Sequence, residues 1–376
     1  MFLALRELAF ARGRFLLMGA VVSLITILMV LLSGLSVGLA NDGVSGLQQM
    51  PVTSFAFQED VAEDSAFSRS VVGPEHVEAW AEQDGVAEAT PFGNTLVNTR
   101  TDRGVEIDLA MFGIETGSVL DPEVAEGERL NGERQVVISA TAAEEGVEVG
   151  DTVVLEPTGT ELDVVGILAE QHTFGHVDVG YLPLRSWQEI KAGAHPGSEI
   201  PDRVYEEYTA VGVRAHTNAE VDLAAGDERA GTTSLTREES YGASPGYTAE
   251  TSTLQLIQVF LYAISALVVG AFFTVITINR RQEIAVLRAL GAGTTYLLRD
   301  ILLQSLVLLV ASACVGMCIG LAAGAAISST PMPFALEAQP IIGATALLLV
   351  LGMVGATVAV LRITRVDPLT ALGGNR

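Results

Sequence analysis

Four stretches of this chain are apolar almost throughout and hold no charged side chain: residues 15–40, 254–279, 301–328 and 341–361. Crossing ~30 Å of hydrocarbon takes about 20 residues of helix, and one charge at a helix centre costs ~2.5–3.5 kcal/mol on the insertion scale. Each run therefore predicts a membrane-spanning helix. Gly38 and Ala40 would suit a signal-peptide cleavage site, but the first run is longer than the roughly 7–15 residues of a signal-peptide core. It reads as an uncleaved anchor.

Between the first and second runs the pattern changes to short alternating or β-branched segments. Residues 135–139 (QVVIS), 152–156 (TVVLE) and 162–168 (LDVVGIL), separated by Gly-containing turns, predict strands. Residues 97–99 and 105–109 flank Asp102-Arg103-Gly104, a hairpin signature. Residues 74–83, with Pro74 at the start, and 186–191 predict short helices. Residues 215–253 are polar and rich in Thr, Ser, Glu and Gly, so irregular structure is expected there. The fold class is a membrane protein with four transmembrane helices and a large α+β extracytoplasmic domain between the first and second.

The whole chain then divides as follows. Residues 1–14 form a cytoplasmic amphipathic helix, with Phe2, Leu5, Ala9 and Phe10 on its apolar side and Arg6, Glu7 and Arg12 on its polar side. The first span (15–40) leads to the outer domain (41–253) and the second span (254–279). A cytoplasmic coupling segment (280–300) precedes the third span (301–328). A short outer loop (329–340), the fourth span (341–361) and a cytoplasmic tail (362–376) complete the chain.

Composition agrees with a divided molecule. Of 376 residues 49% are hydrophobic and 18% charged, with a net charge of -24 and a mean hydropathy of +0.42. The acidity is local, since residues 41–253 hold 11 basic and 40 acidic side chains. The segments before the first span, between the second and third, and after the fourth each carry a small positive excess. Positive loops stay in the cytoplasm, which puts both termini inside and the large block outside. A basic nucleic-acid binder, a disordered chain and a small disulfide scaffold are excluded.

Resident chemistry is sparse. The single lysine, Lys191 in QEIKAG, leaves no Walker A loop, and neither HExxH nor CxxC occurs. Cys314 and Cys318 lie four apart within the third span and read as small apolar packing residues or a soft-metal pair. His172-Thr-Phe-Gly-His176, with Tyr181 beyond, reads either as a polar loop beside a strand or as a metal or haem ligand group. No intrinsic cofactor or metal site and no catalytic residue are expected.

The spans carry polar stripes. Thr26, Met29, Ser33, Ser36 and Ala40 share one side of the first, and Gln255, Gln258, Tyr262 and Ser265 one side of the second. Polar groups are costly against lipid, so each stripe should face protein or a cavity. One reading is helix packing, with Gly34-xxx-Gly38 allowing close approach. The other is a substrate cleft open to the outer leaflet, with Met29, Ser33, Ser36, Gln258 and Tyr262 as its candidate residues. Gly316, Gly320 and Gly324 make the third span a tightly packed helix. In the coupling segment, RRQEIAVLRALGAG predicts a short helix suited to docking a soluble partner.

These motifs carry a resemblance. One span, a large outer domain and three further spans is the layout of the MacB/FtsX-like permeases of ABC transporters. RRQEIAVLRALGAGTTYLLRDILLQS is similar to that family's loop and third helix, and RITRVDPLTALGG to its terminal segment. VVISATAAEEGVEVGDTVVL with ELDVVGIL resembles the family's strand-rich core. The opening, MFLALRELAFARGRFLLMG through SGLSVGLAND to GLQQMP, looks closest to the DevC/HrtB branch.

The resemblance implies a homodimer in the cell membrane paired with HrtA-like ABC ATPase subunits that hold ATP and magnesium, and no nucleic acid. Arg281, Glu283, Leu287 and Arg288 would contact the ATPase. HrtB-type members export haem, so haem or another amphipathic compound is the implied substrate, expelled from the outer leaflet by mechanotransmission. Met29 or Tyr262 would then be an axial ligand, since thioether and phenolate both hold haem iron. The alternative function is an FtsX-like transmitter that activates an external cell-wall hydrolase.

Overall fold

The computed structural model describes residues 12–279, 286, 293–330 and 332–364. Seven helices of eight residues or more lie among them. They are α1 (Arg12–Gln48), α2 (Pro74–Ala81), α3 (Leu184–Lys191), α4 (Leu223–Ala230), α5 (Tyr247–Asn279), α6 (Thr294–Ile327) and α7 (Ala338–Thr364). Four of these, α1, α5, α6 and α7, are long and apolar enough to cross a membrane. The chain divides into two compact units, Ala40–Thr251 and the segments on either side of it.

The Ala40–Thr251 unit is built on one eleven-stranded sheet. Its strands are β1 (Ser54–Gln58), β2 (Val86–Thr101), β3 (Glu106–Ile114), β4 (Val124–Gly127), β5 (Gln135–Ile138) and β6 (Thr152–Glu156), followed by β7 (Glu161–Leu168), β8 (Thr173–Phe174), β9 (Val177–Pro183), β10 (Ala210–Ala215) and β11 (Thr232–Thr236). The order is β11-β1-β10-β2-β3-β9-β5-β7-β4, with β6 joining β2 and β7 and β8 joining β9. Only β3–β9 and β5–β7 pair in parallel. The hairpin at Asp102-Arg103-Gly104 links β2 to β3, with Thr101 N donating to Val105 O at 2.8 Å.

Successive strand residues face opposite sides, and β3 is buried on both. Ala110, Phe112 and Ile114 enter one core, whose rings Phe55, Phe57, Phe67, Phe92, Phe112 and Phe174 meet largely edge to face. Ile107, Leu109 and Met111 enter the other, with Val136, Val153 and Trp187. The run LAMFGI therefore reads as continuously apolar rather than alternating.

Residues 215–253 are regular, against the irregular structure expected from their composition. They hold α4, the edge strand β11 paired with β1, a four-residue helix Arg237–Ser240 and the start of α5. Their polar residues are spent on caps. Asp222 accepts from Ala225 N at the start of α4, and Gly231 ends it in the left-handed region. Thr236 and Glu239 form a reciprocal capping box, and Asp227 accepts from both Thr232 and Ser234 Oγ at 2.8 Å.

In the unit formed by residues 12–39 and 252–364, glycines set the helix contacts. A Cβ on Gly316 of α6 would lie 2.5 Å from Ser23 O of α1, and one on Gly320 2.9 Å from Val30 Cβ. Ser23 Oγ donates to Ser312 O at 2.8 Å across the same contact. Phe15, Met18 and Val22 of α1 pack with Val269 and Phe273 of α5, Leu308 and Leu309 of α6, and Ala356 of α7. Small residues allow backbones to meet where lipid gives no hydrophobic drive for association.

Gly34 and Gly38 differ from expectation. Their close neighbour is the loop after α6, not another helix. A Cβ on Gly34 would lie 2.3 Å from Phe334 Cζ, and one on Gly38 would lie 2.2 Å from Pro333 O. Ala335 N donates to Gly34 O at 3.1 Å. The loop fills the notch that the missing side chains leave. Cys314 and Cys318 are free and exposed, on the outward side of α6 rather than in its packing.

Candidate functional site

Two of the five candidate substrate residues belong to one cluster. Met29 of α1 is 1% exposed and packs with Ile25 and with Leu348 of α7, and Tyr262 and Leu261 of α5 lie against the same cluster. The other three are polar and less enclosed as a set. Ser33 is buried, whereas Ser36 and Gln258 are half-buried. Among the described residues no hydrogen bond joins these three to one another. One turn along α5 from Tyr262, Ser265 is fully buried, and its hydroxyl has no hydrogen-bond partner among the described residues. The arrangement is a packed apolar cluster that includes one thioether and one phenol.

The exposed side of α5 contrasts with this. Leu256, Ile257, Val259, Phe260, Ile264 and Leu267 are all exposed. Such a surface fits lipid or another apolar helix. The coupling residues Arg281, Glu283, Leu287 and Arg288, like 1–11 and 365–376, lie outside the described residues.

The His172–His176 segment is built into the outer unit. His172 is 9% exposed, and its Nδ1 stands 2.9 Å from Tyr181 Oη. Burial lowers the imidazole to about 4 and raises the Tyr181 phenol. His172 is therefore neutral at pH 7, and this ring pair is occupied internally. Among the described residues, no group of three or more His, Cys, Asp and Glu is arranged to hold a metal ion.

The next groups along form a polar network around the outer end of α1. Ser45 Oγ lies 2.7 Å from Thr173 Oγ1 and accepts from Thr173 N at 2.9 Å. Thr173 Oγ1 donates to Asn41 O at 3.2 Å, and Gln171 Nε2 to Asp42 Oδ1 at 3.3 Å. Asp178 is 6% exposed and accepts from Thr141 Oγ1. Burial raises its carboxyl to about 6, against the opposing pull of its hydrogen bonds from Thr141 and Ser139.

His176 faces two carboxylates. Its Nδ1 is 2.8 Å from Asp42 Oδ2, on α1, and its Nε2 is 3.1 Å from Glu250 Oε2, on α5. The second contact is close enough for ion pairing but not aligned as a hydrogen bond, and Nε2 is otherwise unpartnered. Sequence reasoning marked His176 but not its partners. Asp42 and Glu250 stand just outside two apolar runs more than 200 residues apart, and only the sheet brings them together.

Comparison with known families decides what this assembly belongs to. The MacB-like periplasmic core domain matches residues 15–231, more than half of the chain, and the FtsX-like permease C-terminal region matches residues 256–368. The chain belongs to the MacB/FtsX-like permease family. It is an integral membrane protein and an ABC transporter permease of that type, which implies an ATPase partner.

Full-length relatives agree. The chain is 25% identical over 381 residues to a protein of Staphylococcus epidermidis named as a hemin transport system permease, HrtB, covering 100% of this chain and 99% of that one. The Staphylococcus haemolyticus protein of the same name is 24% identical, with 99% of each chain covered. An uncharacterized ABC transporter permease of Mycobacterium tuberculosis is 23% identical over 377 residues, covering 100% of this chain and 99% of its own.

Proposed function

We propose that this permease works with a separate ABC ATPase to expel haem or a similar amphipathic compound from the outer leaflet. The observation that carries the reading is the shared cluster of Met29 and Tyr262, which joins two iron-binding side-chain types from the first and second membrane helices. End-to-end similarity to proteins named as hemin permeases supports the choice of substrate. Haem's apolar macrocycle partitions into lipid, so entry is lateral. The outer domain's surplus of carboxylates would repel the propionates, so capture rests on partitioning rather than on electrostatic attraction.

In this account the chain acts as a homodimer with both termini in the cytoplasm. Closure of the ATPases on ATP shifts the coupling segment around Arg281, Glu283, Leu287 and Arg288, and the helices carry that movement outward as a rigid-body change. The protein itself does not hydrolyse ATP.

The test is haemin tolerance. Cells making this chain with its ATPase should survive haemin that kills cells lacking either one, and should retain less cell-associated haem. Unchanged tolerance together with altered cell-wall cleavage would favour a transmitter over an exporter.

A further inference from the structure

We propose that His176 is a positioning residue that clasps the outer roots of the first and second membrane helices, so that the two move as a unit. The imidazole carries its two nitrogens on opposite sides of one rigid ring. Here each nitrogen faces a carboxylate from a different helix, Asp42 of α1 at 2.8 Å and Glu250 of α5 at 3.1 Å. Neither carboxylate could bridge to the other. Like charges at this range repel, and only an imidazolium between them, hydrogen-bonded to Asp42 and ion-paired with Glu250, turns the pair into a link.

The local backbone is shaped around that placement. His176 lies at φ +66, in the left-handed region that non-glycine residues seldom adopt, next to Gly175 at φ +61. Such a conformation persists when its surroundings fix it. Gly175 N donates to Gly43 O at 2.9 Å, and the same carbonyl accepts from Ser244 Oγ at 2.9 Å. A Cβ on Gly43 would lie 3.5 Å from the Tyr247 ring and 3.8 Å from His176 Cε1. The β8–β9 turn is therefore pressed into the place where α1 and α5 converge.

Both helices run on without a break. α1 extends from Arg12 to Gln48 and α5 from Tyr247 to Asn279, each continuing past the uncharged run, 15–40 or 254–279, that it contains. A helix is stiff along its axis, so a link at the root couples what happens along both. The three ionisable side chains are 25–40% exposed, so the link is of moderate strength and can be made and broken during a cycle. The inference rests on the geometry of this turn and would stand if haem were not the substrate.

Hydrogen–deuterium exchange of the full-length chain in lipid nanodiscs tests it. His176→Ala should speed amide exchange about three- to tenfold in both 40–46 and 247–253, as expected when a local opening loses a partly exposed ion pair. The β2–β3 hairpin should be unchanged. Glu250→Gln should speed 247–253 with much less effect on 40–46. Adding Glu250→Gln to His176→Ala should change nothing further, because the link is already broken. His176→Asn tolerates the left-handed backbone and reaches fewer partners, and it takes the place of His176→Ala if that variant does not fold. Additive effects in the double variant, or faster exchange at one root alone in His176→Ala, would overturn the clasp.

Discussion

Gly355 of α7 meets Ala266 of α5 so closely that a Cβ on the glycine would sit 2.5 Å from the Ala266 carbonyl oxygen. Gly270 lies on the same contact, its Cβ position 3.3 Å from Gly355 O. No side chain fits at 355 without separating the helices. Gly355→Leu should lower thermal stability in detergent by about 1–3 kcal/mol, as overpacking does, whereas Gly270→Ala should cost much less. Equal losses for the two would show that the contact does not depend on the glycine at 355.

The loop after α6 is held by a ring in a notch. Phe334 occupies the space above Gly34 and also approaches Gly324, whose Cβ position is 3.0 Å from Phe334 Cε1. Phe334→Ala should expose residues 329–337 to limited proteolysis and destabilise by about 1–2 kcal/mol, below the 3–5 of a fully buried ring because Phe334 is only half-buried. Gly34→Val should release the same loop by filling the notch. The two changes together should add little, and additive release would contradict the notch.

Asp178 and His172 give the outer unit opposing responses to acid. Asp178 has its folded value raised to about 6 from 3.8, so the fold binds its proton more readily than the unfolded chain does. Its penalty is present above pH 6 and is relieved as pH falls from 6 towards 4. His172, lowered to about 4 from 6.5, behaves oppositely: its stability is complete above pH 6.5 and is lost as pH falls towards 4. Asp178→Asn should therefore stabilise by about 1–3 kcal/mol at pH 7.5 and leave the His172 loss unopposed on acidification. Both tryptophans, Trp80 and Trp187, lie in this unit, so tryptophan fluorescence during heating reads it selectively. A variant less stable at pH 7.5 would refute a strained carboxylate.

Much of the architecture was legible because membrane helices and β-branched strands announce themselves by length and period. The runs at 135–139, 152–156 and 162–168 became β5, β6 and β7, and the Asp102-Arg103-Gly104 turn joined β2 to β3. The helix ends were less legible. α1 continues to Gln48 because Val44 and Leu47, both fully buried, pack in the outer core, a tertiary reason that charge counting does not see. Residues 215–253 looked irregular because capping residues and loop residues have the same composition. The clasp was least legible of all, since His176 stood out in the sequence but its partners Asp42 and Glu250 are ordinary in their local sequence.

The coupling segment gives a prediction from sequence. Glu283→Arg combined with Leu287→Asp changes the charge and the apolar side of the RRQEIAVLRAL helix expected to dock the ATPase. The pair should abolish co-purification of the ATPase subunit while leaving membrane insertion intact. Retained co-purification and retained transport-coupled hydrolysis would sink the assignment.

Haemin titration of the purified full-length chain in nanodiscs, followed through the Soret band, tests the central claim most directly. The account predicts a saturable shift for the unaltered chain. It predicts an altered band position for Met29→Ala or Tyr262→Phe, and loss of the saturable component in the double variant with the protein still folded. Identical, saturable haemin spectra in the unaltered chain, both single variants and the double variant would contradict it.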